Sequence, residues 1–577
     1  MSAERLFFGG PILTMRSELP RAEAVGVRED RIVAVGDLAT VRACLAPDAE
    51  RVDLGGRCLL PGFIDAHHHF SDGAFFDAAV NLHWPRVRSL TDLLRLIAQR
   101  AASLPAGSWV IGEGYFPAHL RERRPPTIDE LDRACPEHPV LLMHYTYHEA
   151  VVNTRAHERV GLPLVRADPP GGEIERDRRG RPTGRLIENA VAPFFVSAIA
   201  ETLSAGEGEY LDRIERYQAR CFAAGLTRVY DAAVSPRMER AMRVAAERGT
   251  LRIGVSMMVA SGDGMFSPPR DRLASAYLGP GCDPLRVGAL KLFMDGGERA
   301  AVRLSLAELA RAVAASGWRA LARASLDPLR AAAEFPVSLD WSTLSVRSGI
   351  LFYGESEARE LVEAGLARGF SIAIHAEGNE AIERALRILP PTRSDRPPGV
   401  FPHRIEHFFF PDEGHIGRAA DARLAVAAQP LIVSWVGDRL LDLGIPRVRR
   451  FTPLRSMLDA GLIVAGSSDA PVVDLDPLAG IRAAVTRETL AGDTLGDGQE
   501  IRVEEALEMY TLAAARAGGL EAEAGTLEPG KRADFVVLSA DPTEVGAERL
   551  DQVRIERTVC GGRDEFVRSA APPSGAG

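Results

Sequence analysis

Leu59 to Phe70 reads LLPGFIDAHHHF, an apolar run that ends in Asp65 and three consecutive histidines, His67, His68 and His69. In an extended strand side chains alternate between faces, so His67 and His69 project to one side and His68 to the other. Two imidazoles on one face can share a metal ion; the alternative for a lone His-x-His is a polar loop with exposed histidines. A second signal comes from a count. The 69 basic residues include only two lysines, Lys291 and Lys531. Lys291 lies in Val287-Gly-Ala-Leu-Lys-Leu-Phe-Met294, which reads as a buried strand, where a bare ammonium is costly. Arginine stays protonated at any accessible pH, whereas a buried lysine can lose its proton, add carbon dioxide and become a carbamate able to bridge two metal ions. The alternative is an ion pair with a nearby acid such as Asp295.

Three further apolar runs end in ligand-type residues: Phe370-Ser-Ile-Ala-Ile-His375, Phe401-Pro-His-Arg-Ile-Glu-His407 and Leu462-Ile-Val-Ala-Gly-Ser-Ser-Asp469. One such end alone is more often a satisfied core histidine than a ligand. Together they fit a (β/α) barrel, in which the carboxyl ends of all strands open onto one face and residues distant in sequence converge. His67, His69, His375 and His407 with Lys291 and Asp469 would then supply a two-metal site.

These segments also carry a resemblance. The chain resembles the amidohydrolase superfamily, in the branch of N-substituted formamide deformylase and the YtcJ-like metal-dependent hydrolases, over nearly its whole length. The motifs are PGFIDAHHH, PTIDELDRACPEHPVLL, RPTGRLIENA, GLTRVYDA, GALKLFMDG, IAIHAEGN, HRIEH, GSSDAPV and GTLEPGKRADFVVL. The resemblance implies an α/β fold: a distorted (β/α)8 TIM barrel, a flanking β-sandwich built from both chain ends and an inserted α/β subdomain. It further implies that His67 and His69 bind one metal, Lys291 bridges, His375 and His407 bind the second, and Asp469 completes the site. Homodimers are common in such relatives.

Zinc is the simplest ion for imidazole and carboxylate ligands, although iron, manganese and nickel also accept imidazole. The expected chemistry is attack of a metal-bound hydroxide on the carbonyl of a small amide, with Asp469 as general acid/base. The same metals would serve a deaminase or an esterase, and a non-catalytic scaffold is the alternative of another class. Against a scaffold stands the ligand set itself, since assembly gives no chemical reason for lysine at 291 and aspartate at 469. A GxSxG elbow, a P-loop and a dinucleotide fingerprint are all missing, which leaves metal as the only implied cofactor.

At 577 residues and 46% hydrophobic, the chain can bury more than one core. A net charge of −10, without a basic stripe, argues against nucleic acid. Met1-Ser-Ala-Glu-Arg-Leu-Phe-Phe lacks the pattern of a signal region, and no apolar run is long enough for a bilayer, so a cytoplasmic protein without membrane contact is expected. Six cysteines without a Cys-x-x-Cys pair read as reduced thiols.

Alternating apolar runs at residues 1–58 and again at 525–566 predict the composite β-sandwich, with Lys531 as a solvated turn residue. Residues 59–71 and 221–524 form the expected barrel, 72–220 an inserted subdomain and 567–577 a disordered tail. In the insertion Ser89 can cap a helix whose Leu90, Leu93, Leu94 and Ile97 share a face. His148 and Asn153, in YHEAVVNT, either contact substrate or organise the insertion's backbone; Tyr115, Asp295 and Asn379 are further candidate substrate contacts. Asp177, Gly184 and Glu188 read as turn and packing residues. After Lys291, residues 305–341 exceed what relatives usually need, with a Ser305/Glu308 capping box and an apolar face at Leu306, Leu309, Ala310 and Val313. One expectation is a lid whose Arg303 and Arg311 favour an anionic substrate; the other is a solvated surface helix.

Overall fold

Eight short runs dominated by small and β-branched residues form parallel strands: β1 (Phe63–His68), β2 (Leu226–Val234), β3 (Gly254–Val259), β4 (Leu285–Phe293), β5 (Ile372–Ala376), β6 (Arg404–His407), β7 (Ala425–Ala428) and β8 (Ile463–Gly466). Neighbours in sequence are neighbours in the sheet, from β1 to β8. The barrel closes nearly completely, because beyond β8 the Asp469 amide donates to the His67 carbonyl (2.8 Å) and the His69 amide to the Ala470 carbonyl (2.8 Å). Ala66, Ala232, Ala289, Ala373, Ala425 and Ala465 leave room inside for Tyr230, Met258 and Phe401. The protein is seen in a computed structural model that describes residues 4–569 apart from 275–278, 280, 323, 327–328, 330–336, 445 and 497. The expected tail beyond 569 and part of the 305–341 segment lie outside the described residues.

Both chain ends meet in one eight-stranded sheet. Cys58–Pro61 pairs antiparallel with Phe535–Leu538, and Glu4–Leu13 runs beside Arg21–Arg28. Its strands form one continuous sheet. Its outer strand Arg31–Gly36 folds back, so that Ile32 N–H donates to the Lys531 carbonyl (2.9 Å), and Phe7, Val25, Ile32, Phe535 and Val559 share a core. The barrel therefore begins at Phe63 and not at residue 59. Lys531 is not solvated: it is buried and its Nζ donates to Thr526 Oγ1 beside Glu528.

Between β1 and β2 lies a six-stranded mixed sheet that includes Val110–Tyr115, Val140–His144, Glu149–Val152 and Pro182–Glu188. Its helix Leu90–Ala102 starts where the Ser89 hydroxyl accepts from the Asp92 amide, and Leu93 and Ile97 pack against Val110 and Leu142. After β4 comes helix α1 (Leu306–Ala322), begun by the expected capping box, in which Ser305 Oγ accepts from Glu308 N–H and the Glu308 carboxylate from Ser305 N–H. After β7 comes helix α2 (Pro430–Leu443), ended by Gly444 in the left-handed region at φ 62°, where a Cβ would strike Ala315 and the Ala312 carbonyl. The two helices pack together at the barrel mouth. Among the described residues no helix is long and apolar enough to cross a membrane.

Candidate metal centre

The barrel brings all six candidate ligands to the same mouth. His67, His69 and Asp469 form one cluster and His375, Glu377 and His407 a second, with ligand atoms inside each cluster within 4.8 Å of one another. The clusters adjoin: the His67 ring lies 4.7 Å from that of His407, which lies 4.4 Å from that of His375. Alternation along β1 holds as expected, since His68 turns away, its Nδ1 on Asp65 (2.9 Å) and its Nε2 on Tyr217 Oη (3.0 Å). His407 and Asp469 both sit at positive φ, 73° and 62°, a strained arrangement for residues with side chains and one that recurs at functional sites.

Neighbouring groups fix which nitrogens face the mouth. Nδ1 of His67 is bonded to Glu406, which Arg404 also holds from within the barrel. Nδ1 of His407 donates to Gln429 Oε1 (3.0 Å), while Gln429 Nε2 is tied to Ser467 and to the Ala427 carbonyl. Each imidazole thereby presents Nε2, the arrangement in which an outer hydrogen bond sets the tautomer of a metal ligand.

What remains is a set of buried polar atoms with nothing to bond. Lys291 Nζ, His375 Nε2 and Asp469 Oδ1 have no hydrogen-bond partner; Asp469 Oδ1 lies 3.1 Å from His69 Nε2 and 3.4 Å from His67 Nε2 without hydrogen-bond geometry. Leaving such atoms unmade costs roughly 1–3 kcal/mol each, so several converging on one point need a compensating ligand. The donors are imidazole nitrogens, carboxylate oxygens and one amine, a set that fits divalent cations. Burial pushes Lys291 down to about 8 and His407 down to about 4, which favours the neutral forms that ligands require. Burial also raises Glu377 well above the usual carboxylate range, with Asp295 and Asp469 adding to the effect.

Of the candidate substrate contacts, His148 and Asp295 lie beside the ligand His375. His148 stacks on Phe266, and its ring lies 5.5 Å from that of His375. Its Nδ1 lies 2.6 Å from the carboxylate of Glu188, which also accepts from Arg299 N–H. Glu188, at φ 53°, is thus a partner of His148 rather than a packing residue alone. Asn153 organises the insertion's backbone: its Oδ1 accepts from the Val140 and Ala156 amides and its Nδ2 donates to the Cys135 and His138 carbonyls. Tyr115 is also buried, with its hydroxyl on Glu149 (3.0 Å). Asp295 accepts from the amides of Glu377, Gly378 and Ala301 and so shapes the end of β5, 3.6 Å from His375 Nε2. Asn379 exchanges two hydrogen bonds with the Arg303 backbone and fastens the segment that leads to α1.

Glu377 is the site residue that sequence reasoning passed over. Its signal was available, because His375-Ala-Glu377 repeats the period-two spacing of His67 and His69. The lid expectation is half met. Helix α1 does border the cavity above the site, but Arg303 is paired with Glu380 (3.1 Å), and Arg311 is exposed and donates to the Ala307 carbonyl.

A parallel eight-stranded barrel whose strand ends gather histidines and carboxylates around unsatisfied buried atoms defines a metal-dependent hydrolase. The profile of the Amidohydrolase family matches residues 50–564, and the chain belongs to that family. It is therefore an amidohydrolase-type enzyme, acting on carbon–nitrogen bonds other than peptide bonds. N-substituted formamide deformylase of Arthrobacter pascens is 31% identical over 561 residues, spanning 95% of this chain and 96% of that protein. The putative amidohydrolase YtcJ of Bacillus subtilis is 28% identical, spanning 98% and 99%. An uncharacterized metal-dependent hydrolase from Pyrococcus horikoshii shares the fold, with a TM-score of 0.71 at 24% identity over 95% of this chain and 99% of that one.

Proposed function

We propose that the protein hydrolyses an amide-type bond in a small molecule, using two zinc ions held by His67, His69, His375, His407 and Asp469 and bridged by a carbamate on Lys291. The observation that carries this reading is the convergence of unpartnered Lys291 Nζ, His375 Nε2 and Asp469 Oδ1 at the mouth. Zinc bound there would supply an activated water and polarise the scissile carbonyl. Asp469, at the junction of the clusters, would take the proton of the attacking water and deliver it to the leaving nitrogen. Burial opposes ionisation of Asp469, yet His69, His67 and His407 hold its carboxyl well below the usual range, which keeps it an anion. His148, oriented by Glu188, would present its Nε2 to the substrate. Similarity to N-substituted formamide deformylase supports an amide among carbon–nitrogen substrates. Six free cysteines, four of them buried, fit a reducing cytoplasm.

The test is hydrolysis of simple formamides and acetamides by zinc-loaded protein prepared in bicarbonate, beside Asp469→Asn. Amine release by the wild type and its loss in a variant that still binds zinc supports the assignment. Full turnover by a zinc-binding Asp469→Asn overturns the acid/base role.

A further inference from the structure

A cavity of about 490 Å3 runs from Asp469, Glu377 and His148 at the mouth to Leu443 at the end of α2. Beyond those three groups its walls are mostly hydrocarbon, interrupted by Thr146, Ser348, Glu298 and Arg439: Leu309, Ala312 and Val313 of α1 face Val436, Leu440 and Leu443 of α2. At the ~30 Å3 a water-sized group occupies, the space takes a ligand of roughly a dozen or more non-hydrogen atoms, far more than a bare amide. The charges along it, Glu298 and Arg439, oppose each other at 3.9 Å.

This wall is built, not left over. Ser316 Oγ of α1 lies within hydrogen-bond reach of the Asp442 (2.9 Å) and Leu443 (3.0 Å) carbonyls, Arg319 pairs with Asp442 (3.4 Å) and Glu308 with Arg447 (3.0 Å). These ties fix α1 against the end of α2, with the small side chain of Ala312 facing the space between them. Half-exposed Val313 sits where the cavity meets solvent.

We propose that the substrate carries a long neutral apolar substituent, a linear or aryl-ended chain, seated between α1 and α2, and that Ala312 and Val313 set its length and polarity. The inference rests on the amide-hydrolase reading above and specifies its substrate class. Along this wall an anionic end group would meet only Arg439, which already faces Glu298, and would lose its hydration. A methylene buried there would gain roughly fourfold in specificity, the factor that corresponds to transfer of one CH2 from water.

The experiment compares kcat/KM across N-alkylformamides from methyl to decyl and across N-methylamides of acids of matched length, each beside its ω-carboxylate analogue. It uses zinc-loaded wild type, Ala312→Trp and Val313→Glu, with melting curves to verify folding. One series should gain about three- to fourfold per methylene up to a plateau, with the ω-carboxylates at least 100-fold poorer. Both variants should lower the ratio of long-chain to short-chain kcat/KM, Ala312→Trp by filling the channel. A readout independent of turnover is calorimetric titration of metal-free protein with 1-octanol, which should bind the wild type and bind Ala312→Trp at least tenfold more weakly. Hydrolysis of short amides with no length dependence in either series would overturn the inference and leave the hydrolase reading intact. If zinc-loaded protein cleaves no amide, that reading fails; octanol binding that discriminates the variants then still supports an apolar-ligand channel, and its absence overturns it.

Discussion

The two ends of the barrel treat buried charge in opposite ways. At the floor Arg228, almost fully buried, donates two hydrogen bonds to Asp283, which also accepts from Arg286, and Arg286 reaches on to Glu523. At the mouth, one strand length away, Lys291 Nζ and His375 Nε2 are buried just as deeply and bond to nothing. The floor uses charge to hold strands together, while the mouth keeps its polar atoms free for what binds there. In β/α barrels the amino-terminal face serves stability and the carboxyl-terminal face chemistry, and the Arg228–Asp283 pair and the free Lys291 Nζ follow that division.

The largest effect expected from the mouth is kinetic. Asp469→Asn should lower kcat about 10³- to 10⁴-fold on the best amide while leaving the melting temperature within a few degrees, measured by initial rates and calorimetry. The floor should respond the other way round. Asp283→Asn strands Arg228 and should cost about 3–5 kcal/mol of unfolding free energy by denaturant titration, with little change in kcat per folded molecule. Burial opposes ionisation of Asp283, but Arg228 and Arg286 hold its carboxyl well below the usual range. A depressed carboxyl adds stability above its unfolded value of about 3.9 and loses it as pH falls, so the gap between wild type and Asp283→Asn should shrink below about pH 4.

A third change sets the signs of the two regions against each other. Lys291→Met should stabilise the metal-free protein by about 1–3 kcal/mol, since it replaces a buried amino group that has no hydrogen-bond partner with an apolar side chain of similar length. Destabilisation of that variant would mean that Lys291 is a structural partner, as at the floor. The smallest effect should come from Glu188→Gln, which leaves the His148 ring in place without its carboxylate. We expect kcat to fall about tenfold with KM nearly unchanged and the pH–rate profile displaced, a combination that loss of packing alone would not give.

The division was partly legible in the chain. His67, His69, Lys291, His375, His407 and Asp469 could be picked out because each ends or interrupts an apolar run, and strand geometry leaves such residues few places to go. Lys291 stood out only because arginine has replaced lysine almost everywhere else. Glu406 and Gln429, which set the histidine tautomers, gave no such signal, since their roles depend on side chains of other strands. In the insertion the family-like motif left Asn153 open between substrate contact and backbone organiser; its four backbone partners favour the second. The same limit applied to α1. Its capping box and apolar face could be read from spacing, but whether its arginines or its small residues face the cavity depends on how it docks on α2.

The central claim, that the free atoms of the mouth exist to hold metal, is tested most directly by metal content per chain. Wild type and Lys291→Ala would be purified in bicarbonate, loaded with zinc, desalted and measured by elemental analysis. About two zinc ions in the wild type and fewer in Lys291→Ala are expected. A wild type that retains no zinc would contradict the claim, and equal occupancy in both proteins would remove Lys291 from the site.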